Sequence, residues 1–265
     1  MITSSSNAQI RAIEALLKKS KERKEQKAFV VEGKKMFEEL LSRRDLLKKV
    51  FFSESYVSEY YPEGLKDILS DIPYEIVAEH IFCQMSETVT PQGVLAIAAM
   101  PEYSLEQMIS SKEKKTLLLL EDLRDPGNLG TILRTAEAAD VAGVILTKES
   151  VDVYNPKVIR STMGAVFRVP FVYADDFFGL LEILREQGVR LLAAHLKGNK
   201  TFTEADYSGA CGILIGNEAN GLSERAAELA TEKVLIPMAG KTESLNAAVA
   251  AALLMYEAFR SQRRF

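Results

Sequence analysis

Cysteine is nearly absent: Cys83 and Cys211 are the only two in 265 residues. Two cysteines cannot build the disulfide framework of a small secreted protein, and both sit in apolar stretches that read as core. With no secretory leader at the N-terminus, the expected setting is reducing and cytoplasmic. Histidine is as scarce. His80 and His195 are far apart and have no neighbours at ligand spacing, so no metal site is expected. His195 ends a predicted strand and reads as a structural side chain. No apolar run approaches the roughly 20 residues of a membrane span. G-x-x-x-x-G-K-[ST] and G-x-S-x-G do not occur, which argues against a phosphate-binding P-loop and a serine hydrolase elbow. G-x-G-x-x-G is missing too, which lowers a dinucleotide site without removing it. There is no internal repeat and no low-complexity tract.

Charge of one sign is also modest, with a formal net of −4. The distribution is more informative than the total. Residues 1–50 hold 13 lysines and arginines against 7 acidic residues, a net of +6, which leaves −10 for the remainder. A basic N-terminal part on an acidic body is the asymmetry of a chain that grips phosphates with one end. Lys18, Lys19, Lys21, Arg23 and Lys24 make the densest run and are the candidate contacts to a phosphate backbone. A solvated helix face explains such a run equally well.

Three stretches combine an apolar run with an abrupt break into small or polar residues. Residues 116–135 read TLLLLEDLRDPGNLGTILRT, a strand, a Pro-Gly break and a helix opening near Asn128. Residues 214–222 read LIGNEANGL, with glycine at both ends of the break and a carboxylate inside it. Residues 235–246 read LIPMAGKTESLN and run into an alanine-rich helix that Ser244 or Asn246 could cap. Strand ends followed by small-residue loops suggest a ligand pocket at one edge of a parallel sheet. Ordinary turns of an α/β domain would look similar.

In this order and spacing the three stretches resemble the motifs of the SpoU/TrmH family of RNA ribose 2′-O-methyltransferases, of the knotted SPOUT superfamily. Asn128, Gly130, Arg134, Thr135 and Ala136 match the first motif, Gly216, Glu218 and Gly221 the second. Ile236, Pro237, Met238, Ser244, Leu245 and Asn246 match the third. One departure is Ala247-Ala248, where a bulkier residue is common. The resemblance covers residues 116–265. It implies S-adenosylmethionine as cofactor, bound at Gly216, Ile236, Met238 and Leu245, and a catalytic set of Asn128, Arg134, Glu218, Ser244 and Asn246. It also implies a deep trefoil knot and a homodimer in which the arginine of one subunit commonly completes the partner's site. A tRNA substrate, or an RNA-binding assembly factor without catalysis, are the alternatives to ribosomal RNA methylation. The full catalytic set argues against the assembly factor without catalysis.

The expected fold class is α/β in two domains. Alternating strands and helices over residues 1–100 make a small α/β domain that resembles the L30e-like RNA-binding domain of SpoU members, on element order and the Val31-Glu32-Gly33 turn. That domain favours ribosomal RNA as substrate. Residues 18–27 read as an exposed, mobile segment, and polar residues 101–115 as a linker. Residues 116–265 form the methyltransferase domain, a largely parallel open sheet with helices on both faces. In the helix from Asn128, Leu129, Ile132, Leu133 and Ala136 make the buried stripe, and Arg134 lies off it. Because a guanidinium does not give up its proton in proteins, Arg134 is expected to position the RNA and stabilise a developing alkoxide, with Glu218 and Asn246 orienting it.

Overall fold

Short apolar runs become the strands of two separate sheets in the computed structural model, which describes residues 1–60, 71–110 and 116–263. The first unit comprises Met1–Glu102 together with Asp152–Phe167, and the second Tyr103–Val151 with the chain from Arg168 onward. In the first, β1 (Ala28–Glu32), β2 (Leu47–Ser53), β3 (Tyr74–Val77) and β4 (Val94–Ala99) form a sheet in the order β1-β4-β2-β3. β4 pairs antiparallel with β1 and β2, and β2 pairs parallel with β3. Helix Ala8–Lys18 buries Ile10, Ile13, Leu16 and Leu17 at helical spacing, and these pack with Val30, Phe51, Phe82 and Leu95.

The charged run at 18–27 departs from the expectation of an exposed, mobile segment. Ser20–Gln26 is a helix, and Arg23 within it is only 3% exposed. Its guanidinium donates to the carbonyls of Leu16 and Leu17 at 2.7 and 3.1 Å and to Asp152 Oδ2 at 2.7 and 2.9 Å. A buried charge is tolerated only when its donors are satisfied, and these are. Arg23 therefore holds the fold and is withdrawn from the candidate RNA contacts. Cys83 is a second correction. It is exposed, because Ile81, Phe82 and Met85 take the buried face of helix Glu79–Met85. Cys211 is buried as expected.

The second unit holds β5 (Thr116–Leu120), β6 (Gly143–Leu146), β7 (Phe171–Tyr173), β8 (Arg190–Ala194), β9 (Lys200–Thr201), β10 (Cys211–Ile215) and β11 (Glu232–Leu235). They form one sheet in the order β7-β6-β5-β10-β8-β11-β9. Every pairing is parallel. A parallel sheet is buried on both faces, and β5, β6 and β10 are accordingly buried at every position. The stretch read as a linker is not all linker: Leu105–Ile109 is a helix whose Met108 packs into the core with Leu117 and Leu181. Residues 111–115 of that stretch lie outside the described residues. Among the described residues no helix is long and apolar enough to cross a membrane.

Candidate active site

Strand order decides where a site can form. From β5 the chain runs outward through β6 and β7, while β10, on the other side of β5, leads to β8, β11 and β9. Loops leaving the carboxyl ends of β5 and β10 therefore diverge, and a crevice opens between them. The three motif stretches are the loops after β5, β10 and β11, all at this edge because the strands are parallel.

The first loop ends in helix Pro126–Ala138. Asp125 is its N-cap, accepting from Asn128 N at 2.8 Å, and Pro126 takes the first helical position. The helix thus opens at Pro126, two residues before Asn128, which stands in the first turn with its side chain free of capping. Its Nδ2 donates to Glu218 Oε1 at 3.0 Å, and its Oδ1 accepts from Asn246 Nδ2 at 2.9 Å. Asn246 in turn caps the last helix, Ala247–Gln262, its Oδ1 accepting from the N–H groups of Ala248 and Val249. That cap fixes which end of the Asn246 amide faces Asn128, and so which end of Asn128 faces Glu218. The three motifs are joined by one chain of hydrogen bonds.

Glu218 terminates that chain. Its Oε1 also accepts from Asp125 N at 2.9 Å, and its Oε2 from Arg124 N at 3.2 Å. Partial burial is the largest single influence on its carboxyl and pushes the pKa up. The Asn128 amide and the N–H groups of Asp125, Glu218 and Arg124 outweigh it, and the carboxyl sits below its ordinary value. A carboxylate with a lowered pKa and both oxygens engaged is a poor base, so Glu218 positions its neighbours. Its folded pKa is depressed, so its stabilisation is complete above the unfolded value and is lost as pH falls through the folded one. Melting curves of the wild type and Glu218→Ala, taken from about pH 7 down to about pH 3, should converge towards the acid end. A gap that stays constant with pH would disprove this.

Asn128, Glu218, Ser244, Leu245 and Asn246 line one depression of about 540 Å³. Of the residues matched to cofactor binding, Leu245 is in this lining. Gly216 lies at the end of β10, while Ile236 and Met238 follow β11 half-buried. Residues 216–221 fold back on themselves: Asn217 N donates to Gly221 O and Gly221 N to Asn217 O. A Cβ on Gly216 would meet the Gly221 carbonyl carbon at 2.1 Å, so only glycine fits there. Residues 236–245 make no hydrogen bond among the described residues. Their N–H and C=O groups, beside half-buried Ile236, Met238 and Leu245, suit a ligand that is part heterocycle and part ribose.

Arg134 is exposed, and its side chain has no hydrogen-bond or ionic partner among the described residues. Within the chain, Glu218 and Asn246 bond Asn128 and not Arg134. Six residues along a helix is about 240° of rotation, which carries Arg134 off the face that bears Asn128. Nearby carboxylates are engaged elsewhere, Glu137 of the same helix with Arg168 and Asp140 just beyond it with Arg263. Sequence reasoning missed Asp125, although an Asp-Pro pair before a helical pattern is a start signal. His195 Nδ1 accepts from Lys197 N at 3.0 Å. Among the described residues no group of three His, Cys, Asp or Glu side chains could hold a metal ion.

In the basic run, Lys18 pairs with Glu14 at 3.5 Å and Lys21 with Glu25 at 3.7 Å. Lys19 and Lys24 are exposed, and their side chains have no partner among the described residues.

Comparison with known proteins bears on this geometry. Residues 115–256 match the SpoU rRNA methylase family, and residues 7–96 match the MRM3-like substrate binding domain. The 23S rRNA (guanosine(2553)-2′-O)-methyltransferase RlmP of Bacillus subtilis is 31% identical, covering 89% of this chain and 90% of that protein. The mitochondrial rRNA methyltransferase 3 of Mus musculus is 32% identical, covering 91% of this chain and 69% of that protein. The crystal structure of an AdoMet-bound rRNA methyltransferase from Sinorhizobium meliloti superposes with a TM-score of 0.82 at 32% identity, over 98% of this chain and 97% of that one. The chain belongs to the SpoU rRNA methylase family, whose members use S-adenosylmethionine to methylate RNA.

Proposed function

We propose that this protein transfers a methyl group from S-adenosylmethionine to a ribose 2′-hydroxyl of RNA, with 23S ribosomal RNA as its substrate. The supporting observation is the hydrogen-bonded chain Asn246–Asn128–Glu218, which ties the three loops together, with an unpaired arginine on the same helix as Asn128. The 2′-O position and the 23S substrate follow relatives such as RlmP. When bound, S-adenosylmethionine supplies an already activated methyl group. The backbone of residues 236–245, with Ile236, Met238 and Leu245, holds the adenosine and excludes water. Gly216 keeps its own loop tight enough to leave that space. Asn128 and Ser244 form the wall at which the ribose is aligned, an entropic contribution that requires rigid groups. Arg134 keeps its proton, contacts the target phosphate and stabilises the alkoxide as it develops. The hydroxyl proton goes to a phosphate oxygen or water. Ribose-methylation mapping of RNA from a deletion strain tests the reading: one lost 2′-O-methyl group in 23S RNA supports it, and an unchanged map rejects it.

The protein acts as a homodimer in the cytoplasm. Val249, Leu253 and Tyr256, spaced i, i+4 and i+7 on the last helix, are 48%, 36% and 49% exposed. They line a groove with Thr131, and Arg134 stands one helical turn from Thr131. Arg134 is thereby delivered to the partner's site. Light scattering at micromolar concentration should give a dimer for the wild type and a monomer for Leu253→Glu; a monomeric wild type counts against this. A trefoil knot belongs to the same reading. β10 returns to the sheet centre after β9 at the edge, and an experimental trace in which the last helix passes through no loop removes it.

RNA is gripped by Lys18, Lys19, Lys21 and Lys24. Lys19 and Lys24 carry most of this, because their charges are unpaired. Replacing both with alanine should weaken RNA binding and flatten its salt dependence, by about 0.7 in log–log slope per lost phosphate contact. The rate at saturating RNA should hold. Normal binding at two salt concentrations would make the run a solvated face.

A further inference from the structure

Beyond Glu218, away from Asn128, lies a second depression of about 510 Å³, lined by Glu121, Asp122, Arg124, Glu218 and Asn220 among others. Three carboxylates face one guanidinium, yet none pairs with it. Glu121 accepts from Ser223 N and Oγ at 2.8 and 2.6 Å. Asp122 accepts from Thr147 Oγ1 at 2.8 Å. Glu218 is taken up by Asn128 and two backbone N–H groups. Arg124 is exposed, and its side chain has no partner among the described residues.

Its base is rigid. Asp122 adopts φ +52°, its N–H bonds Thr147 Oγ1 and its carbonyl accepts from Asn217 Nδ2 at 2.7 Å. Leu123 is fully buried, and its carbonyl accepts from Val151 N. Arg124 N is held by the same carboxylate that holds Asn128. A five-donor cation therefore projects from a fixed backbone, one side chain away from the wall at which the ribose is aligned. The neighbouring carboxylates are engaged by N–H and O–H donors and none of them pairs with the guanidinium, which leaves its donors available to an external anion.

We infer that Arg124 binds a phosphate of the RNA strand next to the methylated nucleotide, so that Glu218 separates the target ribose from its neighbour. The inference rests on the RNA methylation reading above. A planar guanidinium makes two parallel hydrogen bonds to phosphate, which an ammonium cannot reproduce. The carboxylate of S-adenosylmethionine is the other anion within this chemistry, and the test separates the two.

Tritium transfer from S-adenosylmethionine to ribosomal RNA of a deletion strain is measured against RNA and salt concentration, alongside calorimetric cofactor binding. Arg124→Ala should raise the half-saturating RNA concentration about tenfold, the scale of one charged hydrogen-bonded contact. Its salt slope should fall by about 0.7, with cofactor affinity as in the wild type. Arg124→Lys should restore the slope and only part of the affinity. Half-saturation and slope equal to wild type would overturn the inference, as would a loss of cofactor affinity or a loss confined to the saturated rate. A wild-type protein that methylates no RNA would overturn the functional reading itself, and this inference with it.

Discussion

Arg134→Ala is expected to methylate ribosomal RNA at least about a hundredfold more slowly than the wild type, the scale of one lost preorganised donor at a developing charge. The cofactor loops lie elsewhere, at Gly216 and residues 236–245, so S-adenosylmethionine affinity should be unchanged. Arg134→Lys should recover little, because a point charge does not replace the planar fork. Single-turnover transfer with tritiated cofactor reads the rate, and calorimetry reads the affinity. The structure sharpens this expectation. Arg134 makes no contact whose loss could unfold the helix, and Leu129, Ile132, Leu133 and Ala136 hold that helix to the core. A slow variant would be slow in chemistry rather than in stability. Transfer at the wild-type rate would remove Arg134 from the mechanism.

Gly216→Ala should show the second large effect, on cofactor binding. Its ideal Cβ falls 2.1 Å from the Gly221 carbonyl carbon and 2.2 Å from Leu222 N, both backbone atoms that no rotamer can move aside. The loop must open, and the paired bonds between Asn217 and Gly221 break with it. Overpacking of this kind costs about 1–3 kcal/mol. Affinity for S-adenosylmethionine should fall more than about tenfold, which is what 1.4 kcal/mol amounts to. Gly221→Ala is the contrast. It has open space around its Cβ but φ +68°, so it costs only the left-handed penalty of about 1–2 kcal/mol. Calorimetric titration of both variants decides; Gly216→Ala binding the cofactor like the wild type would rule out this account of the loop.

The loops that meet at the site were readable in the sequence because apolar runs ending in glycine or asparagine mark strand ends. Their connection was not. Asn246 reaches Asn128 across 118 residues and Glu218 reaches it across 90, and no periodicity encodes which amide faces which. The buried stripe of helix Pro126–Ala138 was legible residue by residue, and with it the outward face of Arg134. Arg23 misled for a related reason. Among four lysines it looks like one more surface charge, and its carboxylate partner in the fold, Asp152, lies 129 residues away. β9 has two residues and thus no period to detect. Helix Pro156–Thr162 was missed although Asn155-Pro156 is a start signal, with Asn155 accepting from Lys157 N.

Asp152–Phe167 lies inside the sequence span of the methylase family match, yet it belongs to the first compact unit. It supplies Asp152 to Arg23, the Tyr154 ring 4.7 Å from Phe29, and the Phe167 carbonyl to Arg43 at 2.9 Å. No single cut in the chain returns both units whole. A fragment ending near Glu102 would strand a buried guanidinium without its carboxylate, a deficit of about 3–5 kcal/mol. At the level of the gene, the N-terminal unit cannot be traded for another by one crossover at its visible border. The two halves must be inherited together, and a substitution at Asp152 reads as a lesion of a unit whose border lies 50 residues upstream.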